Sequence, residues 1–311
     1  EEHLALIKAM ASEGKGVYMV TKGGHMPISL LEEMSAQANR PVMIAALLHN
    51  STNGGAVFKD LDFITEANQR GRRLIGQVSC CPLTMDFSLD SPYPLEGLVS
   101  WKPALGLSHD KLLRVLSDAS FRSAVKAELQ TSAVFRLFNG EWDKVHLVEA
   151  ADPCHQRFEH LSIAQIAAQL STDPLDAMLD IAVRENLRTV FTAQLLNSDE
   201  NAVGSLLNHP HSLVSLSDAG AHLTFFNDAG FGLHLMGHWV RDRGVMSLEQ
   251  AVHKLSAQTA SIFGLHGRGL LREGFAADLL LFDPNLVGRG AKRRVFDLPG
   301  GAPRLHTDAL G

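Results

Sequence analysis

Residues 213–223 read LVSLSDAGAHL, an apolar run that ends in Ser217-Asp218-Ala219-Gly220, with His222 four positions beyond the aspartate. An acid at the carboxyl end of a buried strand, beside a glycine that lets the backbone turn, is where α/β barrels hold a catalytic acid or a metal ligand. The run therefore points to hydrolytic chemistry. Asp218 has a second reading as the cap of a following helix, and the position of barrel active sites favours the first. His222 either faces the same mouth, orienting substrate or bonding Asp218, or is a loop histidine without a role.

Two further residues stand at strand ends. His49 closes the strongest apolar run of the chain, 41–49, and polar Asn50-Ser51 follow it. An imidazole placed there is a metal ligand or a hydrogen-bonded loop histidine. Lys22 follows the run 16–21 and precedes Gly23-Gly24-His25. A solvated surface lysine is its simpler identity. His234 and His238 lie four apart on a predicted helix, a chelating spacing, yet Leu235 and Trp239 surround them with packing surface. His209-Pro210-His211 precedes a strand instead of ending one and is rejected as a metal motif. Cys80 and Cys81 end the run 73–78, where free cysteine is more often a small buried apolar residue than a thiolate ligand.

The elements that must position these groups alternate. Short β-rich runs at 16–21, 41–49, 73–78, 144–148, 189–194 and 213–217 are separated by segments of helical spacing at 29–39, 60–71, 162–170 and 174–185. That rhythm predicts a parallel sheet with helical crossovers. A segment near 80–138 breaks it, first rich in Pro, Ser and Asp and then helical, as an insertion lining an active mouth would be. Helices are expected near 233–243 and over 247–263, the second opened by a Ser247-to-Gln250 capping-box spacing. The run 277–284 reads as a strand beginning a small all-β unit.

Composition narrows the function classes. The chain has 311 residues, 45% apolar and 20% charged, enough for a large core and a small second unit. With 28 basic against 34 acidic residues and a formal net charge of -6, it has no basic field for nucleic acid or an anionic membrane. A small-molecule substrate is expected. Three cysteines are too few for a disulfide scaffold, and no basic segment leads into an apolar one after Glu1, so a cytoplasmic setting is expected.

A family resemblance emerges downstream. Ser247, His253, Lys254, Thr259-Ala260, Phe263-Gly264-Leu265, Arg268-Gly269, Gly274, Ala277-Asp278 and Phe282-Asp283-Pro284 together resemble the closing segment of the amidohydrolase superfamily, where the last barrel helix leads into a flanking β-sandwich. Asn197-Ser198-Asp199-Glu200, His209-Pro210, Ser217-Asp218-Ala219-Gly220 and Gly237-His238-Trp239-Val240-Arg241 resemble its N-acyl-D-amino-acid deacylase branch, amidohydrolase family 3. The likeness covers roughly the last 170 residues and is specific in order and spacing.

The resemblance implies an α/β chain forming part of a TIM-like (β/α)8 metal-dependent hydrolase barrel, with part of a small flanking β-sandwich. Barrel elements are expected over 1–265 and the start of the sandwich over 266–311. It further implies one or two divalent ions, usually Zn2+, that activate water for attack on an amide such as an N-acyl-D-amino acid. Asp218 then takes the role of acid/base and metal ligand. Family members carry a metal-binding histidine near the place of His49, and some bridge two metals with a carbamylated lysine near the place of Lys22. The superfamily's His-x-His pair on the first barrel strand is not visible, and six candidate strands do not close an eight-stranded barrel. A fragment is therefore expected, folded as an open, curved sheet with an exposed apolar edge. The alternatives are a non-catalytic or truncated amidohydrolase-fold protein, or a cyclic-amide hydrolase or deaminase on the same fold.

Overall fold

The structure is a computed structural model that describes residues 1–23, 25–131, 136–217, 224–226 and 229–311. The first apolar runs form strands β1 (Tyr18–Thr21), β2 (Val42–Leu47) and β3 (Leu74–Val78). Next come β4 (Leu83–Phe87), β5 (Val145–Glu149), β6 (Val190–Leu196) and β7 (Ser212–Val214). Four of them build an open parallel sheet in the order β1-β2-β3-β7. Its register pairs Thr21 with Ala45, Ile44 with Gly76 and Val78 with Val214. Edge strand β1 leaves Met19 60% exposed.

β2 reads as a continuous apolar run because a parallel strand is covered on both faces, and Val42, Met43 and Ile44 are all buried. The helix Ala56–Gln69 packs on the neighbouring β3, burying Val57, Leu61, Ile64 and Ala67 on one face at helical spacing. Gly76 permits that approach. A Cβ there would stand 2.6 Å from Leu47 Cδ1 and 3.3 Å from Leu61 Cδ2. Cutting fully buried Ile64 to Ala removes contacts worth about 2–5 kcal/mol.

The runs 144–148 and 189–194 do form strands, but not in the parallel sheet expected of them. β5 and β6 join β4 in a separate antiparallel sheet of order β4-β6-β5. The cause is their periodicity. β6 buries Phe191, Ala193 and Leu195 and leaves Val190, Thr192 and Gln194 half-buried, the alternation of a sheet with one face on a core. Helices from the inserted segment, His109–Ser117 and Ala119–Leu129, and from Ile163–Leu170 and Pro174–Arg184 share that core with Trp101, Phe158 and Phe191. Asp173 caps the last of them by accepting from Leu175 N and Asp176 N, with Pro174 in the first turn as its sequence predicts.

Downstream, helix Phe231–His234 continues as a π-helical stretch over Leu235–Asp242, and the Ser247–Gln250 capping box opens Leu248–His253. The strand expected over 277–284 is absent. Those residues are irregular, with Leu281 97% exposed. Its backbone meets no neighbouring strand among the described residues, and an unpaired strand gains no ladder. The C-terminal unit consists instead of four short strands, β8 (Gly288–Arg289), β9 (Arg293–Val295), β10 (Arg304–His306) and β11 (Ala309–Leu310), with β8 paired to β11 and β9 to β10. No helix among the described residues is long and apolar enough to cross a membrane.

Candidate functional site

Parallel pairing brings several sequence-predicted groups to one sheet edge. Lys22 follows β1, His49 follows β2, Cys80 and Cys81 follow β3, and Ser215 to Ser217 follow β7, all at the carboxyl ends. Asp218 and His222 lie outside the described residues. Asp218 nonetheless continues directly from a segment that ends at this edge. Leu216, two residues before it, carries a φ of 84°, a backbone value that leucine rarely adopts. Such strain collects where surrounding structure imposes it for function.

His49 is held by its main chain. Its N–H donates to Asn197 Oδ1 at 2.7 Å, and its carbonyl accepts from Asn197 N at 2.9 Å. His49 is 8% exposed, and its buried Nδ1 has no hydrogen-bond partner among the described residues. Gly54 makes room for the ring, since a Cβ there would stand 2.8 Å from His49 Nε2. Ser215 Oγ is a second buried polar atom at this edge without a partner among the described residues. Its strand β7 and the His49 strand β2 both pair with β3, one on each side, and Ser215 N donates to Val78 O at 3.0 Å. They are two of nine such atoms among the described residues, and both lie at the carboxyl end of one sheet, where an imidazole nitrogen and a hydroxyl stay available to a polar group.

The remaining candidates are engaged. Lys22 Nζ sits 2.6 Å from both carboxylate oxygens of Asp60 at the surface. Ligation by Lys22 requires that pair to open. Cys80 and Cys81 are buried, as small apolar residues are: Cys80 Sγ donates to Phe231 O at 3.2 Å, and Arg289 Nη1 approaches Cys81 Sγ at 3.6 Å. His234 and His238 stack in parallel, centroids 4.8 Å apart, and His238 Nε2 meets Glu200 Oε1 at 2.8 Å. Burial, with Arg289 and His238 nearby, pushes His234 down to about 3. His209 and His211 stand before β7, at the opposite sheet edge, and burial lowers the pKa of each.

Asn197 carries no role in the residue-by-residue reading and enters only through a motif, yet it organises the edge. Its Nδ2 donates to Ser79 O at 3.1 Å and Cys81 O at 3.4 Å, tying the end of β6 to the end of β3 as well as to His49. A φ of 55° puts it in the left-handed region, where asparagine is one of the few tolerated side chains. An asparagine directly after an alternating strand was the available signal.

Among the described residues, no three His, Cys, Asp or Glu side chains gather closely enough to hold a metal ion. His49 offers one buried imidazole nitrogen without a partner. The described residues thus fit part of a metal site and do not complete one.

The family model described as amidohydrolase family matches residues 126–298, more than half of the chain. The chain belongs to the amidohydrolase family. An uncharacterized protein of Mycobacterium tuberculosis is 32% identical over 184 residues, 56% of this chain and 29% of that protein. A D-aminoacylase of Alcaligenes xylosoxydans xylosoxydans is 51% identical over 53 residues, 17% of this chain and 11% of that one. The crystal structure of N-acyl-D-glutamate deacylase from Bordetella bronchiseptica, complexed with zinc and a phosphonate mimic of the tetrahedral intermediate, aligns with a TM-score of 0.52 at 19% identity. It covers 92% of this chain, which spans 51% of that one. This member of the family shares the fold of part of that deacylase, aligning with about half of its length and with less than a third of the mycobacterial relative.

Proposed function

We propose that the protein hydrolyses the C–N bond of a small amide, with N-acyl-D-amino acids as the substrate class, in the cytoplasm. The observation that carries this reading is a pair of buried atoms without a partner among the described residues, His49 Nδ1 and Ser215 Oγ, at the carboxyl edge of a parallel sheet in a member of this family. Barrel enzymes do their chemistry at that edge. The relatives named above as a D-aminoacylase and an N-acyl-D-glutamate deacylase support the substrate class.

In this reading Asp218 is the acid/base: its carboxylate takes the proton of the attacking water and returns it to the leaving amine. Asn197 holds the His49 main chain so that the imidazole stays at the strand end. The solved deacylase carries zinc, and we assign His49, Lys22 and Asp218 as the ligands toward one or two divalent ions, which would activate water. His222 is assigned to substrate contact. A second reading, a non-catalytic protein keeping the fold, draws on the lack of a three-ligand cluster among the described residues.

The test uses the full-length gene product with a panel of N-acetyl-D-amino acids and their L counterparts, together with metal analysis. Release of free D-amino acid, with zinc bound and loss of turnover in Asp218→Asn, is expected. No turnover and no bound metal favour the non-catalytic protein. Turnover that survives Asp218→Asn removes the assigned acid/base.

A further inference from the structure

Beyond β5 the chain crosses residues 150–158 and meets the carboxyl end of the helix Pro174–Arg184. Glu185, directly after that helix, fixes the crossing. Its carboxylate accepts from Ala151 N at 2.8 Å, Asp152 N at 3.1 Å and His155 Nδ1 at 2.8 Å. The carboxylate is fully enclosed, and His155 is 6% exposed. A carboxylate on Nδ1 calls for the Nδ1–H tautomer and leaves Nε2 as an acceptor. That nitrogen makes no hydrogen bond among the described residues.

His155 lines a hollow of about 650 Å³, walled by this crossing and by the helices Ile163–Leu170 and Pro174–Arg184. Small-molecule sites are of that size. Phe158, Ala177 and Ile181, each at most 2% exposed, give it an apolar floor. Its charge is positive. Arg157 lies over the Phe158 ring at 4.6 Å, Arg184 stands in the last turn of its helix, and neither pairs with a carboxylate among the described residues. Asp180 also lines the hollow, but Arg122 Nη1 holds it at 2.8 Å. Cys154 adds no charge at neutral pH, because its hydrogen bond to Asp152 pushes the thiol up. In a chain of formal net charge -6, two such arginines beside an apolar floor suit an anion, since a guanidinium only donates. Among the described residues, the hollow shares none with the carboxyl edge of the parallel sheet.

We propose that this hollow is a second binding site, for a small organic carboxylate that carries an apolar group and an N–H or O–H beside the carboxylate. Arg157 and Arg184 donate to the carboxylate, His155 Nε2 accepts from the neighbouring donor, and the apolar group lies over Phe158 and Ile181. Glu185 holds the imidazole in the tautomer that this contact needs. Apolar area supplies affinity, and the three polar groups select the anion.

Calorimetric titration of the full chain with phenyllactate, which has no amide to hydrolyse, tests the site. A dissociation constant of about 0.1–1 mM is expected. Binding is expected to weaken at least about tenfold for the uncharged phenyllactamide, and equally in the variant carrying both Arg157→Met and Arg184→Met. Both arginines are exposed and methionine keeps much of their apolar stems, so the variant folds, as circular dichroism will show. Cys154 reports the place of binding, because it is exposed at the hollow while Cys80 and Cys81 are buried. Its alkylation by iodoacetamide, followed by mass spectrometry, is expected to slow about threefold or more at saturating phenyllactate in wild type and not in the double variant. No heat at several millimolar phenyllactate overturns the proposal. Undiminished binding in the double variant, equal binding of inorganic phosphate, or binding that leaves Cys154 unprotected also overturns it. Equal affinity for 3-phenylpropanoate, which lacks the hydroxyl, removes the contact given to His155. None of these readouts needs turnover, so the site stands or falls apart from the hydrolase reading.

Discussion

His49 and Asn197 are joined twice, through His49 N to Asn197 Oδ1 at 2.7 Å and Asn197 N to His49 O at 2.9 Å, although 148 positions separate them. The same asparagine reaches Ser79 O and Cys81 O. Three strand ends from two sheets thus meet on one buried side chain.

Asn197→Ala removes the acceptor of a buried N–H, the donor to two carbonyls and a side chain suited to positive φ. A loss of about 2–4 kcal/mol in urea unfolding is expected. Asn197→Gly separates the causes. It relieves the φ cost while keeping the hydrogen bonds broken, so it recovers only about 1 kcal/mol. Full recovery by glycine would show that the bonds to His49, Ser79 and Cys81 contribute nothing.

His49 offers a different contrast. Its Nδ1 makes no hydrogen bond among the described residues, so His49→Asn breaks no side-chain bond there at that atom and is expected to cost less than about 2 kcal/mol. Bound zinc in the full-length protein, read by elemental analysis, is expected to fall at least about tenfold in affinity if the imidazole is a ligand. Gly54→Ala acts on the same ring from outside, because its Cβ would stand 2.8 Å from Nε2. It is expected to cost about 1–3 kcal/mol through overpacking and to weaken zinc as well. Unchanged zinc content in both variants would remove His49 from the ligand set.

How much of this was legible in the sequence differs by element. The runs leading to β2 and β7 are readable because strands covered on both faces are continuously apolar, whereas β1 at the sheet edge alternates half-buried Tyr18 and Val20 with exposed Met19 and Thr21. β5 and β6 depart from the parallel sheet that the rhythm of strand and helix predicts, because Phe191, Ala193 and Leu195 alternate with Thr192 and Gln194 and that period of two carries the sheet type. β4 was missed because Leu83-Thr84-Met85-Asp86-Phe87 sits among Pro, Ser and Asp, and its ladder partner β6 lies more than a hundred residues away. The ion pairs of Arg294 lie beyond reach of local pattern altogether, since its partners Asp86, Glu149 and Thr224 come from three distant segments.

Glu185 carries a pH prediction. Burial opposes its charge, but donors from Thr189 at 2.6 Å, Ala151 at 2.8 Å, His155 at 2.8 Å and Asp152 at 3.1 Å outweigh that and hold its carboxyl below the ordinary 4.5. A depressed carboxyl stabilises the fold above its unfolded value and loses that contribution as pH falls through the lower folded value. Stability is therefore expected to drop as pH is taken from 4.5 downward. Glu185→Gln, which sets an amide against those donors, is expected to cost about 3 kcal/mol at neutral pH and to flatten the acid limb. An acid limb as steep as the wild type's would show that other carboxyls produce it.

His234 acts in a higher window and with its own sign. Burial first, then the nearby Arg289 and His238, takes its pKa from 6.5 to about 3. Between those values the unfolded chain binds a proton that the folded chain refuses, so falling pH favours unfolding. The slope is at most about 1.4 kcal/mol per pH unit. Urea unfolding of wild type from pH 7 to pH 5 is expected to show this decline, where Glu185 is still silent. His234→Phe keeps a flat ring against His238, stacked at 4.8 Å in the native protein, and carries no proton. Its stability should decline less steeply than wild type's between pH 7 and pH 5. A variant that declines as wild type does would assign the slope to the other histidines that burial depresses, His146, His209 and His211.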